Sequence, residues 1–388
     1  MSGAAGPAGP RSALSCWAVD EIARALLDRI AASRTGDDGG GGDDDSDADH
    51  LVLADHLMQI GEPDWGELIA LACAESRGAL PSALRHRLFL LRGRARSWLG
   101  PVKAVTFQRR FDRGLLVATG VDARQPGMIA AAASHLAWRT VREVALHEHA
   151  YWAGHFRAGD EIAALLCQLP ALAALRGVTM DVVLALSLAW PGEAPLPVRA
   201  LELFFYRPSD DPMYGDVHEL LGGPVFAGVR DLALGAGIHR DRRLDPAELD
   251  WWLGAAPIMA HVEALGLGYV PDLEPWRLAL ARSARPGLRA CRGRSAVTCF
   301  KLERDEAGAW TRLLARGRGD PSSLTPRRLD HLELELGQLA PGALTRLALQ
   351  VPPALRGDLE PRLPRIAARQ PRAAIEVTDT AAAADDAL

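Results

Sequence analysis

The sequence predicts an α/β chain: an irregular solenoid of strand–helix units around a parallel sheet, preceded by a small α-helical module. Three observations carry that reading. A short pattern, apolar-x-x-apolar-x-apolar, recurs between residues 102 and 349. Helix-like segments such as "DEIAALLCQLPAL" and "DPAELDWWLGAAPIMAHVEAL" separate its copies. Upstream, residues 51–78 carry apolar residues at helical spacing, interrupted by one Gly-Glu-Pro.

With 388 residues the chain has room for two or three domains or one elongated repeat array. Apolar residues at 48% and charged residues at 24% fit a globular protein. A formal net charge of −5 exerts no global pull toward nucleic acid or membrane. Five scattered cysteines without a CxxC pair point to neither a disulfide frame nor a zinc knuckle. The N-terminal "MSGAAGPAGPRSALSC" lacks the apolar core of a signal peptide, and no apolar run reaches the ~18 residues of a membrane span. The expectation is a cytoplasmic protein. The chain has no asparagine, and Lys103 and Lys301 are its only lysines.

Residues 1–50 read as a flexible N-terminus with one short helix, marked by Ile22, Ala25, Leu26 and Ile30, and an acidic Gly/Asp linker over 36–49. Asp45, Asp47 and Asp49 have calcium-loop spacing. His50 and His56 stand where that loop needs Gly and Glu, so calcium is excluded. Residues 51–100 form the helical module. Leu51, Ala54, Leu57 and Met58 line its first helix, which Gly61 caps and Pro63 breaks. Asp64 and Glu67 have capping-box spacing for a second helix with Leu68, Ile69, Leu71 and Ala72 on its apolar face. Asp55 and His56 are adjacent, so on a helix they diverge by about 100° and cannot pair as acid and base. The carboxylates at the start of the second helix exclude a DNA-reading helix-turn-helix. Residues 81–99 continue as a basic helix.

The stretch "LVLADHLMQIGEPDWGELIAL" resembles the bacterial repeat-companion domain, through Leu51, Val52, Ala54, Asp55, Leu57, Gly61, Glu62, Pro63, Gly66, Glu67, Leu68 and Ile69. His56 replaces the more usual Trp. The resemblance covers about 30 residues. It implies that degenerate leucine-rich repeats follow and carries no reaction with it.

Residues 101–378 are accordingly read as a leucine-rich-repeat-like solenoid, and 379–388 as a disordered tail. The copies are Val102/Val105/Phe107, Val141/Val144/Leu146, Leu175/Val178/Met180, Val198/Leu201/Leu203, Val229/Leu232/Leu234, Val262/Leu265/Leu267, Val297/Phe300/Leu302, Leu329/Leu332/Leu334 and Leu344/Leu347/Leu349. Those in the middle recur at roughly 31–35 residues, about one strand plus one helix. A single unit cannot bury its apolar face alone, so neighbours must stack. One feature departs from leucine-rich repeats: the turn position usually held by Asn or Cys is held here by residues such as Tyr206, Gly237 and Gly337.

Alternation along each strand turns Glu143, Asp181, Glu202, Lys301, Glu303, Glu333, Glu335 and Arg346 outward. The expected strand face is therefore acidic, with Gly235, Gly266 and Gly268 leaving room and Phe204 and Tyr206 as aromatic anchors. That face predicts a non-catalytic scaffold binding a basic protein or peptide. Glu143, Asp181, Glu202, Phe204, Tyr206, Glu303, Glu333 and Glu335 are the contact residues, with nucleic acid and membrane disfavoured. No nucleotide-binding loop or nucleophile elbow is present, so neither cofactor nor catalytic residue is expected. Two alternatives stand beside this reading. His147, His149 and His155 could hold a hydrolytic metal, although no HExxH accompanies them. The Arg-rich segment 275–330 could bind nucleic acid.

Overall fold

The computed structural model describes residues 20–33, 43–121, 127–146, 157–191, 194–204, 219–235, 246–270, 273–283, 285–295, 298–317 and 326–379. The chain is mixed α/β with mostly parallel strand pairing, and it divides into two compact units. The first comprises Met1–Arg176 with Ala185–Pro191, the second Gly177–Leu184 with Gly192–Leu388.

The first unit opens with helix α1, Glu21–Ser33. The Asp20 carboxylate accepts from the Ala23 N–H at 2.9 Å, satisfying an orphan donor of the first turn. Helix α2 spans Asp43–Gln59 and so begins inside the expected linker. Carboxylates are favoured at the positive end of a helix. Asp47, 2% exposed, also finds cations: Arg113 Nε lies 2.7 Å and Arg77 Nε 3.3 Å from its oxygens. Gly61 has φ +96°, and the Glu62 N–H donates to the Leu57 carbonyl at 2.9 Å, closing α2 as expected.

Helix α3 is Pro63–Ser76 and α4 is Ser82–Arg94. The expected Asp64 cap does not form. Pro63 takes the first helical position, Glu62 is the cap residue and makes no side-chain capping bond, and Asp64 lies inside the first turn. Its carboxylate instead meets Arg87 and Arg94, each at 2.8 Å, while Glu67 accepts from Arg87 at 3.0 Å. The hydrogen bond from Arg87 holds the Asp64 carboxyl below the usual range. A Cβ on Gly66 would sit 2.4 Å from the Ala54 carbonyl oxygen, so α2 and α3 approach through this glycine.

A short helix α5, Val102–Val105, leads into β1, Thr106–Asp112, and the antiparallel β2, Leu115–Val121. Their two-residue turn places Arg113 at φ +45° and Gly114 at φ +81°, the left-handed geometry that suits a tight hairpin. Trp65 Nε1 donates to the Gly114 carbonyl at 3.1 Å, and its ring stacks on Trp98 at 5.4 Å. Leu27, Leu53, Leu57, Ile69 and Leu115 complete a core shared by α1, α2, α3 and β2. Helix α6, Met128–Ala133, β3, Glu143–Leu146, helix α7, Arg157–Leu166, and β4, Ala174–Val178, follow. β2, β3 and β4 pair in parallel. Helix α8 spans Met180–Ala189.

The second unit carries β5, Ala200–Phe204, β6, Asp231–Gly235, β7, Ala264–Tyr269, β8, Ala290–Arg294, β9, Thr298–Arg304, β10, Trp310–Gly317, β11, Arg346–Val351, and β12, Ala374–Asp379. They neighbour one another in chain order. Pairing is parallel from β5 to β8 and from β10 to β12, and antiparallel across β8–β9–β10. Helices α9, Pro246–Ala255, α10, Leu273–Arg282, α11, Pro326–Gly337, α12, Arg356–Leu359, and α13, Leu363–Arg369, stand between strands.

Several expected strand cores lie elsewhere. Leu329, Leu332 and Leu334 belong to α11: the three-residue step keeps Leu329 and Leu332 on one buried helical face, and the two-residue step leaves Leu334 off it, 61% exposed. Met180 opens α8 rather than ending a strand, and Val102 and Val105 are helical. Conversely, β2, β8, β10 and β12 are not among the expected copies, although β10 carries one in the buried Trp310, Leu313 and Ala315.

The carbonyl preceding a strand repeatedly accepts N–H groups from the start of the next. Arg199 O accepts from Arg230 and Asp231, Arg230 O from Glu263 and Ala264, and Glu263 O from Arg289 and Ala290, all between 2.7 and 3.2 Å. In a chain without asparagine, main-chain atoms make this inter-strand ladder.

Candidate recognition surface

Alternation gives the second unit's strands two unlike faces. Leu201, Leu203, Leu232, Leu234, Leu265, Leu267, Leu347 and Leu349 are buried. Their outward neighbours on β5–β11 are mostly half-buried, so among the described residues this face is less covered than the leucine face. Parallel strands are ordinarily covered on both faces, so a face that the described residues leave half-covered is informative.

Register places the outward residues in three rows. The first runs Ala200, Asp231, Ala264, Ala290, Glu303, Arg312, Arg346, Ala374. The second runs Glu202, Ala233, Gly266, Arg292, Lys301, Leu314, Ala348, Glu376. The third contains Phe204 and Gly235 on β5 and β6, then Tyr269, Arg294, Cys299, Arg316, Gln350 and Thr378 from β7 to β12.

Tyr269 reaches this face through a bulge. Gly266 pairs with Arg292 and Tyr269 with Arg294, so β7 spends two intervening residues where β8 spends one. The extra residue turns Tyr269 to the side of Arg294, a use of bulges found beside functional sites. Gly266 offers no cleft: a Cβ there would meet the Ala233 Cβ at 2.9 Å and Arg292 Nε at 3.5 Å.

The expected acidic face does not form on these strands. Glu202 and Glu303 are on it, on β5 and β9. Asp181 sits in the first turn of α8, and Glu333 and Glu335 are on α11, where Glu333 meets Arg365 at 2.8 Å. Glu143 lies on β3 in the first unit, between Arg110 at 3.3 Å and Arg176 at 2.8 Å. Phe204 ends β5 on the outward face, half-buried; Tyr206 lies outside the described residues. The outward bases of β8–β11 are Arg292, Arg294, Lys301, Arg312, Arg316 and Arg346, against the single acid Glu303.

The Arg-rich segment accordingly splits. Arg277 and Arg282 pair with Glu274 and Asp250, Arg285 binds the Leu253 and Gly254 carbonyls, and Arg304 covers the Trp310 ring at 5.0 Å. Arg292, Arg294, Arg312 and Arg316 reach the open face. Their signal was the period-two spacing in "CRGR" and "TRLLAR".

Ion pairs neutralise the first two rows in part. Arg292 meets Asp231, Lys301 meets Glu303 at 2.7 Å, and Arg346 meets Glu376 at 2.8 Å. The third row holds two arginines and no carboxylate among its described residues.

An apolar space of about 10 Å³ behind the sheet, lined by Leu267, Trp276, Leu280, Phe300 and Leu313, has room for one water rather than a substrate. Burial pushes the Cys291 thiol up to about 12 and, with the neighbouring Asp47 carboxylate, Cys73 up to about 11. His147, His149 and His155 lie outside the described residues. Among the described residues no cluster of His, Cys, Asp and Glu could hold a metal, and no helix is long and apolar enough to cross a membrane. No family model, curated protein or solved structure matches the chain.

Proposed function

We propose that this chain is a non-catalytic recognition protein that binds a partner polypeptide on the open strand face of its second unit. The carrying observation is the one-sided cover: leucines buried on one face, and on the other a half-buried array of side chains on mostly parallel strands. The finer architecture belongs to the same proposal. Residues 51–100 are read as a repeat-companion module and residues 101–378 as a degenerate leucine-rich-repeat-like solenoid. Chain-order strand neighbours and the recurring main-chain ladder support it. The cation-rich centre of the face favours an acidic partner over the basic one expected from the sequence.

The test is affinity purification from the native host with two variants. Ala348→Trp puts bulk on the open face; Leu278→Arg changes an exposed site on α10. Partners lost with the first and kept with the second support the proposal. The opposite pattern refutes it.

A further inference from the structure

Resting on that reading, we infer that the row Tyr269–Arg294–Cys299–Arg316 is the centre of the interface and receives the carboxylates of an Asp/Glu-rich polypeptide segment. Three observations point there.

The first is charge placement. Arg294 and Arg316 flank Cys299 from the two adjacent strands, roughly 10 Å apart across two strand spacings. Arg292 and Lys301 stand in the next row, roughly 7 Å along the strands. Three acids of the face, Asp231, Glu303 and Glu376, are engaged by Arg292, Lys301 and Arg346. The third row, by contrast, sets two arginines on either side of Cys299 with no carboxylate among its described residues.

The second is the bulge that turns Tyr269 outward beside Arg294. Tyr and Arg are the residue types that dominate interface energetics, and here they adjoin at the β7–β8 border of a cationic patch. The third is what borders the patch. Glu202 and Asp231 lie on the β5–β6 side and Glu376 on β12. A long polyanion crossing the face would meet these carboxylates. A short acidic stretch fits between them, which favours a polypeptide over nucleic acid.

A random peptide library displayed on phage is selected on the full-length protein. The enriched peptides are then synthesised and titrated by fluorescence anisotropy. The expected peptides carry net negative charge. Their affinity falls by roughly tenfold or more with Arg294→Glu/Arg316→Glu, by less with the Gln pair, and is kept or raised by Glu202→Lys. Tyr269→Ala speeds their dissociation. Circular dichroism verifies that each variant is folded, and the Gln pair carries the test if the Glu pair is not.

Basic or neutral peptides whose binding responds to Glu202→Lys or Ala348→Trp overturn the inference and leave the strand-face reading standing. Enriched peptides insensitive to every face variant overturn both. Failure to enrich any acidic peptide overturns the inference. So does a single-stranded oligonucleotide that binds more tightly than the peptides and shows the same Arg294/Arg316 dependence.

Discussion

Replacing Arg113 by Met tests how the helical module is fastened to the first hairpin. Asp47 is 2% exposed and its Oδ1 lies 2.7 Å from Arg113 Nε, itself 12% exposed at the side chain. The approach is close but off the hydrogen-bond direction, so the attraction is coulombic. At an effective dielectric constant of about 20, unit charges about 4 Å apart attract by roughly 4 kcal/mol. Met keeps most of the stem and removes the charge. Asp47 is then left with Arg77 at 3.3 Å, 42% exposed and screened by water. Breaking a buried pair from one side costs about 3–5 kcal/mol. The left-handed backbone at residue 113 disfavours Met as it does Arg, so strain largely cancels. Replacing both partners, Asp47→Leu/Arg113→Met, should return stability to within about 1 kcal/mol of the native chain, because no buried charge remains. Urea unfolding followed by tryptophan fluorescence measures each corner of the cycle, with Trp65 reporting from its bond to Gly114. A single-variant cost below about 1 kcal/mol, or a double variant as costly as the sum of the singles, would refute the clamp.

Two further outcomes follow from burial. Leu267→Ala should cost about 2–5 kcal/mol, whereas Leu334→Ala, on the exposed side of α11, should stay within about 0.5 kcal/mol. Equal costs in urea melts would contradict the assignment of 326–337 as a helix. His135 accepts from the Ala137 N–H at 3.1 Å, and burial holds its pKa below the ordinary 6.5. Below that pH the unfolded chain binds a proton that the folded chain resists, so stability falls as pH drops. His135→Asn keeps an acceptor and should flatten the decline in urea midpoint between about pH 7.5 and about pH 5. Parallel declines would remove His135 as the cause.

Much of the second unit's core was legible in the sequence because a strand has a side-chain period of two. Leu201/Leu203, Leu232/Leu234 and Leu265/Leu267 announce themselves by alternation and are buried. The α2–α3 hairpin was legible through Gly61 and Pro63, whose backbone restrictions are local. Local pattern failed where part of it fits two structures: the Leu329–Leu332 step suits a helix as well as a strand core, and packing chose the helix. It failed again at the acidic stretch 43–49, where the distant Arg113 and Arg77 hold Asp47 in a helix. The sign of the open face was the largest reversal. It depends on which residues stand side by side across strands, and those belong to segments far apart in sequence. β8 has only Ala290 and Cys291 to mark it as a strand, and pairing of β8 and β10 beside β9 brings Arg292, Arg294, Arg312 and Arg316 onto one surface. Glu333 and Glu335 leave that surface with their helix, and a single extra residue in β7 adds Tyr269 to it. Composition and periodicity thus determined which residues could be buried. Register, a property of contacts between distant segments, decided which charges share a face.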